Sequence, residues 1–122
     1  MSQSMNRLLP RKRRHARIRK SVIGTAAKPR LCVYRSGRYV YVQAVDDFAS
    51  RVLATASSLE KEGRALFKGR ANKAAAKWIG ERIGERLLAK KVERAVFDRN
   101  GYPYHGVVRE VAEAARAKGL KF

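Results

Sequence analysis

From Tyr39 to Val45 the chain alternates. Val40, Val42 and Ala44 fall on one side of an extended strand, and Tyr39, Tyr41 and Gln43 fall on the other. Just before it, residues 30–35 (Arg-Leu-Cys-Val-Tyr-Arg) are rich in β-branched and aromatic side chains and predict a strand. Only Ser36, Gly37 and Arg38 separate the two, so they are expected to pair as an antiparallel hairpin. Asp46 and Asp47 mark the next turn. Residues 51–58 predict a third strand, weaker in propensity because its alanines suit a helix equally.

Residues 61–70 predict a loop or a short helical piece. Beyond them the apolar period changes to that of a helix. Ala75, Ile79, Ile83 and Leu87 form one i,i+4 row, with Ala76, Gly80, Gly84 and Leu88 beside it. The helix should run from about residue 72 to 90, with Asn72 or a neighbour as its cap. Gly80 and Gly84 each cost about 1 kcal/mol of helix propensity against Ala. Two such costs one turn apart predict a close approach of helix to sheet. Residues 93–98 predict a fourth strand, reached by a helical crossover and therefore parallel to an earlier one. Residues 99–105 form a loop. A second helix is expected over 107–118, burying Val108, Val111 and Ala115, with Gly119 at its left-handed cap.

The expected fold is α/β, a single small domain over residues 29–122. Its mixed four-stranded sheet combines a three-stranded antiparallel meander with one parallel strand, and two main helices cover it. Residues 1–28 are set apart as a basic arm and linker.

Charge explains that separation. The 122 residues hold 29 Lys+Arg and 10 Asp+Glu, a net charge of +19. The first acidic residue is Asp46. Before it lie twelve cations: Arg7, Arg11, Lys12, Arg13, Arg14, Arg17, Arg19, Lys20, Lys28, Arg30, Arg35 and Arg38. Self-repulsion of this size is tolerable where a polyanion is the normal partner. Leu8, Leu9, Ala16 and Ile18 do not make the apolar stripe that would pin the arm to a core. Like charges at i,i+4, as at Arg13 and Arg17, oppose a helix until phosphates neutralise them. The arm is expected to turn helical on RNA. Arg predominates over Lys there, which suits forked contacts to phosphate.

The same composition narrows the alternatives. Hydrophobic residues make up 45% of the chain, too many for a disordered polycation. The one cysteine, Cys32, excludes an internal disulfide and a multi-Cys zinc site and suits a reducing compartment. No apolar run is long enough to span a bilayer, and no secretory signal follows the basic start.

Two places could carry chemistry. On the second strand, Tyr39, Tyr41 and Gln43, flanked by Arg35 and Arg38, resemble the aromatic sheet surfaces on which RNA bases stack. The other reading buries both rings under a helix. The loop from Asp98 to Gly106 presents Arg99, Tyr102, Tyr104 and His105, braced by Pro103. With no nucleophile or second acid nearby, His105 is expected to face RNA or support the loop, not to catalyse. Asp46, Asp47 and Asp98 could meet at strand ends as a two-metal nuclease site, but turn formation and ion pairing explain them more simply. His105 has no partner at metal-ligand spacing. No metal or other cofactor is expected, and a DNA-coating architectural protein is the alternative to an RNA binder.

The order of several motifs is distinctive. It runs from a basic arm through Pro-Arg-Leu-Cys-Val-Tyr-Arg-Ser at 29–36, Tyr-Val-Tyr-Val-Gln at 39–43, Ala-Ser-Ser at 56–58 and Asn-Lys at 72–73. Phe-Asp-Arg-Asn-Gly-Tyr-Pro-Tyr-His-Gly at 97–106 and a terminal Gly-Leu-Lys-Phe complete it. Over essentially its whole length the chain resembles the bacterial form of large-subunit ribosomal protein eighteen. The resemblance implies a ribonuclease-H-like strand arrangement without nuclease activity. It also implies a cytoplasmic, ribosomal role: binding 5S ribosomal RNA and attaching it, beside large-subunit ribosomal protein five, to the large-subunit RNA in the central protuberance. No small-molecule substrate and no membrane are implied.

The family's basic segment maps onto Arg11 to Lys20. Its strand end maps onto Arg35 and Ser36, its aromatic strand onto Tyr41 and Gln43, and its loop onto Tyr104, His105 and Gly106. Arg30, Lys73 and Arg109 join the expected RNA-binding set. The family usually carries Arg directly after His-Gly, where this chain has Val107, and Gly-Asn-Lys where it has Gly69-Arg70-Ala71-Asn72-Lys73. Trp78 is likewise atypical.

Overall fold

The structure is a computed structural model, described here over residues 23–98 and 106–122. Strands β1 (Arg30–Arg35), β2 (Val40–Asp46) and β3 (Arg51–Ser57) are followed by helices α1 (Lys61–Phe67) and α2 (Lys73–Ala89). Strand β4 (Val96–Asp98) and helix α3 (Val107–Ala117) complete the described elements. The sheet order is β3-β2-β1-β4. β1, β2 and β3 pair antiparallel, and β4 joins β1 in parallel, as the helical crossover predicts.

Alternation decides which side of the sheet is buried. Leu31, Val33, Val40, Val42, Ala44 and Ala56 point into one cluster with Ala75, Ile79, Ile83 and Leu87 of α2 and Val108, Val111 and Ala115 of α3. Asn72 caps α2 with its side chain, accepting from Ala75 N at 2.9 Å.

Gly80 and Gly84 do permit a close approach, but to α3 and not to the sheet. A Cβ on Gly80 would sit 2.5 Å from Val111 O and 2.7 Å from Ala114 Cβ, and one on Gly84 would sit 3.0 Å from Lys118 Cβ. The second helix therefore reaches the core by lying on the glycine row of the first. The fourth strand is also shorter than its sequence suggests. Residues 93–95 pair instead with the C-terminal tail: Ala95 N donates to Lys121 O, and Lys121 N donates to Glu93 O, each at 2.9 Å.

That tail explains a motif. Gly119 takes a positive φ of 110° and closes a Schellman cap, with Leu120 N donating to Ala115 O and Gly119 N to Arg116 O. Leu120 is buried, Phe122 stacks on Phe97 at 5.7 Å, and the Arg116 guanidinium lies 4.5 Å from the Phe122 ring centre. Residues 61–67 are helical. α1 is tied to α2 by Phe67, which meets Trp78 edge-on at 5.8 Å.

Candidate nucleic-acid interface

The face of the sheet turned away from the core cluster is built by the hairpin. Tyr34 stands opposite Tyr41, and Cys32 stands opposite Gln43. β3 adds Ser57 beside Tyr41 and Thr55 beside Gln43. Because period-2 alternation sends all of these to one side, the two tyrosines stack across the strands, with ring centres 5.0 Å apart and planes 11° from parallel. Burial and the neighbouring Cys32 and Tyr41 push the Tyr34 phenol above its ordinary value, so the ring is neutral at physiological pH. Tyr41 and Gln43 are half-buried on this side, not packed in the core cluster with α2. The result is a flat aromatic pair beside an amide that can both donate and accept.

Tyr34 is the member that sequence reading left out. It carries a signal nonetheless. It alternates with Arg30 and Cys32, and the three-residue turn sets it directly opposite Tyr41.

At the hairpin end, Arg35, Ser36 and Arg38 are exposed. Ser36 closes the turn: its hydroxyl accepts from Tyr39 N at 3.2 Å, and its own N donates to Tyr39 O at 2.9 Å. Tyr39 is thus half-buried in the turn, just ahead of β2. Arg38 reaches across to the α1–α2 connection, where a Cβ on Gly69 would sit 3.2 Å from its Nε. Gly69 has a φ of +76° and follows Lys68 at +50°, so this connection is a tight left-handed turn. It carries Lys68, Arg70 and Lys73, all exposed. Arg38 and the 68–73 connection therefore share one cationic end of the molecule. Arg109 is exposed on the first turn of α3, which packs on α2.

Arg30 is a correction. Only 6% of it is exposed. Its Nη1 donates to Asp98 Oδ2 at 2.8 Å, and its Nε and Nη2 donate to the two carboxylate oxygens of Asp47 at 3.1 Å each. Despite burial, these carboxylates raise its already high pKa. It is a fold residue and leaves the phosphate-binding set. The strand-end aspartates do converge, as two of three, but around a guanidinium. Asp46 turns away, its Oδ1 accepting from Phe48 N and Ala49 N. Among the described residues, no three His, Cys, Asp or Glu side chains gather in a metal-binding group.

Other cations are also committed to the fold. Arg86 pairs with Glu60, its Nη2 2.6 Å from Oε1, and Lys118 pairs with Glu85 at 2.9 Å. Arg82 pairs with Glu62 and lies over the Trp78 ring at 4.6 Å. The arm residues Arg11, Lys12, Arg13, Arg14, Arg17, Arg19 and Lys20, and the loop residues Arg99, Tyr102, Tyr104 and His105, lie outside the described residues.

Comparison with known proteins adds a separate line of observation. Residues 5–122 match the family model described as ribosomal L18 of archaea, bacteria, mitochondria and chloroplasts. A curated relative from Dictyoglomus thermophilum is 53% identical, with 92% of each chain covered. One from Thermoanaerobacter sp. is 52% identical over 96% of each chain, and one from Finegoldia magna is 47% identical over 100% of each. All three relatives are called large ribosomal subunit protein uL18.

Proposed function

The chain belongs to the ribosomal L18 family, as a structural protein of the large ribosomal subunit and not an enzyme, and we propose that it binds 5S ribosomal RNA there. In this reading it ties the 5S RNA to the large-subunit RNA in the central protuberance, beside large-subunit ribosomal protein five. The observation that carries the reading is the stacked Tyr34–Tyr41 pair next to a cationic hairpin end. Folded RNA offers unpaired bases for such rings to stack on, with phosphates close by for guanidinium groups. Duplex DNA keeps its bases stacked inside, so a DNA coat would leave the rings without a partner.

Two sets of groups share the work. Arg11 to Lys20 neutralise phosphates. Arg35, Arg38, Lys73 and Arg109 fix orientation, while Tyr34, Tyr39, Tyr41 and Gln43 offer a surface to bases. In this reading Arg99, Tyr102, Tyr104 and His105 add further contacts to RNA. If the arm covers about 6–8 phosphates, the log–log salt slope of binding is about −5.

The test is a titration of the full chain against 5S RNA over a range of salt, with duplex DNA of equal length as competitor. Deleting residues 1–20 is expected to flatten the slope by several units. An unchanged slope overturns the role of the arm, and equal affinity for the duplex favours the DNA-coating reading.

A further inference from the structure

Among the described residues β3 is an edge strand, with β2 on one side. Edge strands present unpaired backbone N–H and C=O groups, a template on which another chain can add a strand. In an antiparallel ladder the N–H and C=O of one residue point to the same side. Leu53, Thr55 and Ser57 are the residues of β3 that point outward, and among the described residues side chains and backbone meet four of their six groups. Lys90 Nζ donates to Leu53 O. Arg86 Nη1 donates to Thr55 O at 2.5 Å. Glu60 Oε2 accepts from Ser57 N at 3.0 Å, and Glu60 N donates to Ser57 O at 3.2 Å.

These groups support one another. Arg86 and Glu60 are joined by two hydrogen bonds, at 2.8 and 2.6 Å. Arg86 lies in the last turn of α2 and Lys90 is its C-cap, four residues on, so the end of the helix lays a cation over alternate carbonyls of the strand. The ladder is also interrupted. Ala54 pairs with Ala44 and Val52 with Val45, which leaves Leu53 as an extra residue, a bulge on the same edge. Without these covers, β3 would be an open edge whose neighbours include the exposed side chains of Val52 and Leu59.

We propose that Glu60, Arg86 and Lys90 close the outer edge of β3 against strand pairing with a second copy of this chain. The device serves the protein while it is free of RNA, when an open edge would be most hazardous. It does not depend on which RNA the protein binds.

The double variant Arg86→Ala/Lys90→Ala tests it in the full chain. Mass is measured by light scattering across a range of concentrations at ~1 M salt, where the Debye length of about 3 Å removes the restraint of like charge. The wild type is expected to stay monomeric. The variant is expected to show about a twofold rise in mass with concentration. In the dimer, amide exchange at Leu53 and Thr55 should slow by at least about tenfold, since paired amides exchange only on opening. Adding Thr55→Pro, which removes an outward donor and no ladder bond, should restore the monomer. Lys90→Ala alone breaks no ion pair among the described residues and serves if the double variant fails to fold. A folded variant that stays monomeric overturns the proposal. So does one that associates without protecting Leu53 and Thr55, or a wild type that already dimerises.

Discussion

Arg30 and Asp98 meet in the interior of the sheet, Nη1 to Oδ2 at 2.8 Å, although 68 residues separate them along the chain. The contact joins β1 to its parallel neighbour β4, and the Asp98 side chain is fully buried. Breaking a buried pair from one side leaves a desolvated charge behind. Asp98→Ala is therefore expected to cost about 3 kcal/mol, read as a lower midpoint in urea unfolding.

Gly80 offers a sharper test of packing. Alanine is the better helix former by about 1 kcal/mol, so propensity alone favours Gly80→Ala. Its methyl group would collide with the Val111 carbonyl, which is backbone and cannot turn aside. A net loss of about 1–3 kcal/mol is expected, as for other overpacked cores. A Cβ on Gly84 would stand 3.0 Å from Lys118 Cβ and 3.4 Å from Ala115 O, tight but without the overlap at Gly80, so Gly84→Ala should cost less. Denaturant unfolding of the two variants side by side checks the order.

Lys91 holds a φ of +63° at the end of α2, where Lys91 N donates to Leu88 O and Val92 N to Leu87 O. This is the position at which a Schellman cap favours glycine. Lys91→Gly is expected to raise stability by about 0.5–1 kcal/mol, since a side chain in that region costs about 1–2 kcal/mol and glycine gives back part of the gain as chain entropy. A higher thermal midpoint is the readout.

Glu60 makes stability depend on acid. The Arg86 guanidinium, with help from Ser57 N, holds its carboxyl below the usual value. A depressed folded-state pKa stabilises above the unfolded value of about 4.3, and that contribution is lost as pH falls through the folded one. Glu60→Gln should cost at most about 1 kcal/mol at neutral pH, because the pair is part-exposed. The gap between the two proteins should close as the pH drops below the ordinary carboxylate value. Unfolding curves at a series of acid pH values measure it.

The tyrosine pair predicts a split between affinity and salt dependence. Tyr34→Ala and Tyr41→Ala should each weaken 5S RNA binding by about 1–3 kcal/mol, the range for stacking of a base on an aromatic ring. The salt slope should not change, because no phosphate contact is lost. Tyr34→Phe keeps the ring and should bind nearly as well. A change in slope without a change in affinity at low salt would contradict the stacking role.

Much of this architecture was legible in the residues. The hairpin, its short turn and its alternating face follow from local pattern. The core stripe of α2 follows from helical spacing, and the Asn72 cap from its side-chain chemistry. What escaped depended on partners distant in sequence. Arg30 looked like one more cation in a basic third, and only the convergence of Asp47 and Asp98 makes it a core residue. The glycine row announced a close approach but could not name the neighbour, since α3 and the sheet are equally apolar in sequence. Residues 93–95 carried strand propensity, and the C-terminal tail, not β1, supplied their partner. Tyr34 was overlooked because a half-buried aromatic in a strand reads as core until its opposite number is known.

The root of the basic arm is fastened tightly. Gly24 and Asp47 exchange backbone and side-chain hydrogen bonds at 2.7 and 2.9 Å, and a Cβ on Gly24 would strike both Val45 O and Arg30 N. Eight of the chain's cations lie ahead of this point. A load that reaches Gly24 along the chain is passed directly to Asp47, beside the end of β2, and to Arg30, at the start of β1, the two central strands of the sheet. At Gly24 the chain is thus anchored on the sheet, and a load arriving there moves β1 and β2 together.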